Sequence, residues 1–238
     1  MKVAIIGATS GIAKEVAKIY AARGAALFLV ARDGEKLDSV ERDLRARGAQ
    51  QVERYLADLS DLSLHDAIVS AAGSAVDVVL VAHGVLPEQS KVDNDAQAQV
   101  EAFELNATSV ISLVARFATV MEAQRSGVIA VIGSVAGDRG RRSNYVYGSA
   151  KAAVHAYCDG LRSRLSAAGV SLVLIKPGWV DTPMTIRSKK NALYVHPEAI
   201  ARGIEKAIER RSATVYLPGY WRWISLLVRL LPARLVRF

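Results

Sequence analysis

The chain has 238 residues, of which 51% are hydrophobic and 23% charged, and its formal net charge is +8. That balance supplies one substantial core and excludes a disordered or collagen-like chain. The single cysteine, Cys158, excludes an internal disulfide framework and fits a reducing compartment, while four scattered histidines (65, 83, 155 and 196) lack zinc-site spacing, so no metal is expected.

In chain order, apolar strands alternate with amphipathic helices. The segment KVAII reads as a strand, followed by a helix with Ile12, Val16, Ile19 and Tyr20 on one face that ends at Gly24. The strand ALFLVA leads to a charged helix from about Glu35 to Arg47. QVERYLA is a third strand whose polar content predicts a less buried position. A helix near Ser60–Ala72, the strand DVVLVA and a long helix over roughly Asp95–Gln124 follow. Then come GVIAVIG, a helix carrying Tyr147 and Lys151, VSLVLI, a helix over His196–Arg210 and the short strand ATVYL. Nearly continuous apolar strands belong to parallel sheets covered on both faces. The expected fold is α/β: a Rossmann-type doubly wound parallel sheet of about seven strands with helices on both faces.

The first strand–helix junction reads Gly7-Ala8-Thr9-Ser10-Gly11-Ile12-Ala13. Glycines here permit a tight turn and close backbone approach to a pyrophosphate at the helix N-terminus, so Gly7, Thr9, Ser10, Gly11 and Ile12 are candidate cofactor contacts. Ala13 stands where helix–strand packing requires a small side chain. After strand two an acid would bind an NAD ribose, whereas this chain has Ala31-Arg32, room plus a guanidinium for a 2′-phosphate. NADP(H) is therefore favoured over NAD(H), with Asp33 next door as the opposing signal. Asp58 and Leu59 close strand three; Asp58 suits either the adenine amino group or a helix cap.

Tyr147 and Lys151 stand four apart and project from one helix face. Ser134 ends strand five, Asn106 lies in the preceding long helix, and Pro177-Gly178-Trp179-Val180-Asp181-Thr182 follows strand six. These all fall on the sheet edge where open α/β folds bind ligands. The glycine loop, Asn106, Ser134 with Tyr147 and Lys151, and Pro177-Gly178 with Thr182 together resemble the short-chain dehydrogenase/reductase family over Met1–Thr214. The resemblance implies an oxidoreductase with Tyr147 as general acid or base. It makes Lys151 the residue that lowers the tyrosine pKa and binds the nicotinamide ribose, and Ser134 the donor to the substrate oxygen. It gives Asn106 a supporting role toward Lys151, and brings Gly84, Val180 and Thr182 to the cofactor. A free phenol with pKa ~10 needs such a neighbouring ammonium to act as a base near neutrality. Where many members carry Asn-Asn-Ala-Gly, this chain reads Val81-Ala82-His83-Gly84, which makes His83 a ribose-side or helix-packing residue.

Substrate identity falls to the segments outside these motifs. Basic clusters at Arg139-Gly140-Arg141-Arg142 and Arg187-Ser188-Lys189-Lys190 flank the expected pocket, which suits a phosphate-bearing substrate or an anionic membrane surface. No apolar run reaches the ~18–20 residues of a spanning helix, and VAII runs directly into the glycine loop, unlike a signal peptide. Residues 1–216 read as one dinucleotide-binding and catalytic domain, and 217–238 as a basic amphipathic tail with Arg222, Arg229, Arg234 and Arg237 and no acid. On a helical wheel Arg222, Ser225 and Arg229 form a polar stripe opposite Trp221, Ile224, Leu227, Val228 and Leu231, the marking of an interfacial helix. The VAHGVLPEQ segment and this tail are also similar to decaprenylphosphoryl-keto-pentose reductases, which implies a lipid-linked keto-sugar substrate. The expected protein is a cytoplasmic homo-oligomer, peripheral at the inner face of a membrane through its tail, with a small-molecule or lipid-linked carbonyl substrate and no nucleic acid partner. A catalytically silent NADP-binding sensor or scaffold is the alternative, and an intact Ser134, Tyr147 and Lys151 set weighs against it.

Overall fold

A computed structural model describes residues 1–186 and 190–232. Of the predicted basic residues, Arg187, Lys189, Arg234 and Arg237 lie outside the described residues. Seven strands, β1 (Lys2–Ile6), β2 (Ala26–Ala31), β3 (Gln51–Leu56), β4 (Val78–Val81), β5 (Val128–Ile132), β6 (Ser171–Pro177) and β7 (Thr214–Leu217), form one sheet in the order β3-β2-β1-β4-β5-β6-β7. Every pairing is parallel. The chain reverses its winding direction between β1 and β4, which opens a crevice at the C-terminal ends of those two strands.

Successive strand residues enter two separate cores, which explains the continuous apolar runs. Val3, Ile5, Leu27 and Leu29 face α1 (Gly11–Ala22) and α2 (Gly34–Ala46), with α8 (Pro197–Glu209) on the same side. Ala4, Ile6, Phe28 and Val30 face α3 (His65–Ala72), α6 (Ser109–Gln124) and α7 (Tyr145–Ala167). The edge strand β3 alternates between buried and exposed residues, as its polar content predicts. Helix α3 starts later than the sequence suggests, because Asp61 takes the Ser63 N–H at 3.0 Å and closes a 3-10 turn over Leu62–Leu64.

The long helix expected over Asp95–Gln124 changes phase part-way. After the short α4 (Gln89–Val92), α5 (Ala96–Phe103) runs into a π-helical turn at Glu104–Thr108 before α6 begins. Burial shifts with it: Ala102, Asn106 and Ala107 are inside, while Phe103 stays on the surface.

The last helix, α9 (Trp221–Leu230), overturns the helical-wheel reading of the tail. Its inward side is Trp221 and Ser225, both only 2% exposed, so Ser225 belongs to the packed face rather than to a polar stripe. Trp221 lies against Gly178, where even a Cβ would collide with the indole, and its ring meets Trp179 edge-on at 5.5 Å. Leu227, expected beside Trp221, instead points outward with Trp223, Leu226 and Leu230. The wheel misplaced the seam because the helix packs through the margin of its apolar arc, next to the arginines, and leaves the centre of that arc outward.

Candidate active site

The turn after β1 is built from backbone. Gly7 and Ala8 both donate to the Val30 carbonyl at 2.9 Å, which pins the loop to β2. Gly7 has φ +85°, and a Cβ there would stand 2.7 Å from the His83 backbone nitrogen. Ser10 caps α1 through its hydroxyl, which accepts the Ala13 N–H at 3.2 Å. The first-turn N–H groups of Gly11 and Ile12 have no intrahelical partner and face the crevice end of the helix. Thr9 and Ile12 are half-buried, and Ala13 is fully buried against the strands as its small size predicts. Thr182 closes down on this turn, since a Cβ on Gly11 would meet its methyl at 2.9 Å. Val180 is buried beside it, with its carbonyl accepting the Thr185 hydroxyl at 2.7 Å.

At the end of β2, Arg32 extends into solvent with 68% of its side chain exposed, 4.0 Å from Asp58. Asp33 is otherwise engaged: it caps α2 by accepting the Lys36 N–H at 3.0 Å and pairs with the Lys36 ammonium. Those bonds hold its carboxyl below the usual carboxylate range. Asp58 accepts the Ser60 N–H and hydroxyl at 3.0 and 2.8 Å, so it holds its own turn, while Asp61 caps the next one. Leu59 buries its side chain in the second core, and its carbonyl accepts bonds from His65 and Ser109. The helix-packing alternative holds for His83, whose Nε2 meets Ser109 Oγ at 3.0 Å. Burial pushes its pKa down to about 3, so the ring is neutral.

Across the crevice, the π turn aims Asn106 at the loop after β4. Its Oδ1 accepts the Val85 N–H at 2.9 Å, while its Nδ2 donates to the carbonyls of Val85 and Ala102 at 2.9 and 2.8 Å. Gly84, with φ +153°, must lack a side chain there, because a Cβ would stand 2.5 Å from Asn106 Oδ1 and 3.7 Å from Lys151 Nζ. Lys151 donates to the Ile132 carbonyl at 3.0 Å and lies 5.7 Å from the Tyr147 ring centre. Burial lowers its pKa to about 8. Burial also pushes the Tyr147 phenol up to about 12, against a hydrogen bond with Ser134 that pulls it down. The expected depression of this pKa is therefore not produced by the protein's own groups, because desolvation outweighs the Ser134 hydrogen bond. Ser134 accepts the Ala136 N–H at 3.1 Å and starts a 3-10 turn over Val135–Asp138.

Behind Ser134 lies a cluster that sequence reading missed: Asp138, His155, Lys176 and Tyr216. Lys176 Nζ lies 2.6 Å from one Asp138 oxygen, and the Tyr216 hydroxyl donates to the other at 2.9 Å. His155 sits one turn beyond Lys151 on α7, which was the one signal available. The arginine cluster divides: Arg139 donates to the Leu231 carbonyl at 3.2 Å and Arg141 is buried, while Arg142 alone is fully at the surface.

The chain matches the short chain dehydrogenase family model over residues 1–192. It belongs to the short-chain dehydrogenase/reductase family. It is 34% identical to an uncharacterized oxidoreductase of Mycobacterium tuberculosis over 233 residues, covering 97% of this chain and 93% of that one. An uncharacterized oxidoreductase of Streptomyces coelicolor is likewise 34% identical, over 98% of this chain and 93% of the other. Among solved structures, a short-chain dehydrogenase from Sphingobium yanoikuyae in complex with NADPH superposes with a TM-score of 0.85 at 26% identity, covering 98% and 96% of the two chains. The enzyme is thus an oxidoreductase of a family that binds a nicotinamide cofactor. The crevice fits that group: a glycine turn without side chains, a helix N-terminus and two further loops close on one another there. Among the described residues, no helix is long and apolar enough to cross a membrane.

Proposed function

We propose that this enzyme transfers a hydride between NADP(H) and a carbonyl or secondary alcohol of a lipophilic, phosphate-bearing substrate. The observation that carries the chemistry is the convergence of Ser134, Tyr147 and Lys151 beside the loop that Asn106 holds. When bound, the nicotinamide supplies or accepts the hydride. The backbone around Gly7, Thr9, Ser10, Gly11 and Ile12 would hold the pyrophosphate, Asp58, Leu59 and Gly84 would hold the adenosine and ribose, and Val180 and Thr182 would hold the nicotinamide. Ser134 orients and polarises the carbonyl oxygen, and Tyr147 gives it a proton. Burial keeps the phenol protonated at neutral pH, so Tyr147 has a proton to give. The Lys151 ammonium then stabilises the phenolate left behind, and Asn106 keeps the Gly84 loop from crowding it.

Arg32 supports NADP(H), since its exposed guanidinium, only loosely paired with Asp58, can meet a 2′-phosphate while Asp33 is turned away into the α2 cap. Arg141 supports an anionic substrate group: it is buried in the loop between Ser134 and Tyr147, and its Nε has no hydrogen-bond partner among the described residues. The outward side of α9 supports a lipid-linked substrate met at a membrane surface, because Trp223, Leu226, Leu227 and Leu230 are exposed beside Arg222 and Arg229. The catalytic unit 1–216, the tail and a homo-oligomeric assembly belong to the same reading.

Initial rates with NADPH and NADH against soluble ketones and polyprenyl-phosphate-linked keto-sugars test it. The reading expects NADPH preference and faster reduction of the lipid-linked carbonyl, with sedimentation of the enzyme on anionic liposomes that high salt reverses. NADH preference, or turnover of soluble ketones alone, would remove the corresponding part.

A further inference from the structure

We infer that His155 is a positioning residue for Ser134, held in one tautomer by the Asp138–Lys176–Tyr216 cluster. The inference rests on the reading of Ser134 as donor to the substrate oxygen. His155 Nε2 lies 3.4 Å from the Ser134 backbone nitrogen, and its Nδ1 lies 3.6 Å from Asp138 Oδ1. Since the Ser134 N–H can only donate, Nε2 must carry a lone pair, and the ring proton belongs on Nδ1, facing the carboxylate.

The second observation is the space cut for this ring. A Cβ on Gly133 would stand 2.7 Å from His155 Nε2, and one on Gly137 would stand 2.6 Å from its Cε1 and 2.8 Å from the Lys151 carbonyl carbon, so the turn is drawn close to both the ring and the α7 backbone. Neither glycine has a positive φ, so backbone conformation does not call for glycine at these two positions. The turn Gly133-Ser134-Val135-Ala136-Gly137 thus wraps the imidazole on both sides of the serine.

The carboxylate anchoring that ring is itself fixed. The Asp138 side chain is 5% exposed and takes Lys176 from β6 and Tyr216 from β7, which hold both of its oxygens in place beside His155. A buried, hydrogen-bonded ion pair is rigid, because any rearrangement leaves a charge without compensation. Burial first, then Lys176 and Lys151, outweigh Asp138 and disfavour a charge on the ring, which keeps the Nε2 lone pair available. Strands β6 and β7 and helix α7 therefore all determine where the Ser134 hydroxyl points.

The test measures the His155 tautomer by long-range 1H–15N correlation, together with kinetics of His155→Leu, His155→Gln and Ser134→Ala on the ketone the enzyme reduces fastest. The expected spectrum shows the proton on Nδ1. His155→Leu should lower kcat about tenfold or more through misplacement of the serine while NADPH binding stays unchanged. Glutamine, which can accept from Ser134 and donate to Asp138, should restore most of that rate. In the Ser134→Ala background, His155→Leu should alter the residual rate less than twofold. A proton on Nε2, or near wild-type turnover in His155→Leu, overturns the inference. A parallel loss of NADPH binding and melting temperature without rescue by glutamine does so too, since that marks a packing role only. Full activity in Ser134→Ala refutes the reading of Ser134 itself, leaving the tautomer result to judge the His155 contact separately.

Discussion

The turn after β1 and helix α9 both border the C-terminal edge of the sheet, yet they are made differently. The first is mostly backbone: Gly7, Gly11 and Gly84 let three loops approach one another. The second is a helix seated by one tryptophan, with a ring of apolar residues left facing outward. A pyrophosphate is recognised by N–H groups and a dipole, so its binder converges on glycine and a helix start. On the proposed reading α9 lies on the substrate side, where a variable substrate imposes no such rule.

The sharpest way to break that contrast is to remove the seat of α9. Trp221→Ala should destabilise the enzyme by about 3–5 kcal/mol, read as a melting shift of roughly 10 °C or more, because it empties the site over Gly178. Removal of 220–238 should do the same, and an unaltered melting temperature would show α9 to be merely draped on the domain. On the other side, Tyr147→Phe keeps the ring but deletes the proton donor, and turnover should drop by at least ~10², about 2.7 kcal/mol, with NADPH binding intact.

Acid should loosen the substrate side through its buried imidazole. Burial and Lys176 push the His155 pKa down to about 4, whereas the unfolded chain protonates near 6.5. The unfolded state thus binds more protons between those values, and stability falls as pH drops through that window by up to about 1.4 kcal/mol per pH unit. Denaturant melts at several pH values would show it, and His155→Gln should flatten the slope. A smaller effect belongs to the nucleotide side: Ala31→Asp should move the NADPH/NADH preference about tenfold toward NADH, because a carboxylate repels the 2′-phosphate. The smallest effect is expected for Trp223→Ser, within about 0.5 kcal/mol of wild type in stability. That variant should nevertheless weaken sedimentation with anionic liposomes, and unchanged sedimentation would remove the outward face from the membrane reading.

What could be read from the residues alone follows the same division. The strands were legible because parallel strands buried on both faces leave unbroken apolar runs, and the glycine turn because a phosphate imposes its own spacing. Arg32 was legible as a candidate, but the role of Asp33 was not, since an acid after a strand can cap a helix or meet a ribose and only the bond to Lys36 separates them. The side of α9 carrying Trp221 and Ser225 was hidden because the packed seam lies at the margin of the apolar arc, beside the arginines, rather than at its centre. The Asp138 cluster was hidden by distance along the chain, its partners lying 38 and 78 residues away. Tyr147 was found by its spacing from Lys151, but its high pKa comes from burial that no spacing reports.

The phase change in the helix before α6 makes the position of Asn106 depend on a count. A regular helix would bring each side chain round by ~100° per residue, and the π turn accommodates one residue beyond that rhythm. Deleting a single residue from 104–108 should let the helix close into uninterrupted α-form, turn Phe103 inward and swing the asparagine away from Val85. Helical regularity and the hold on the Gly84 loop are then alternatives, and this sequence has accepted the irregular one. Such a deletion should leave overall helicity unchanged or higher while the loop after β4 loses its protection from amide exchange.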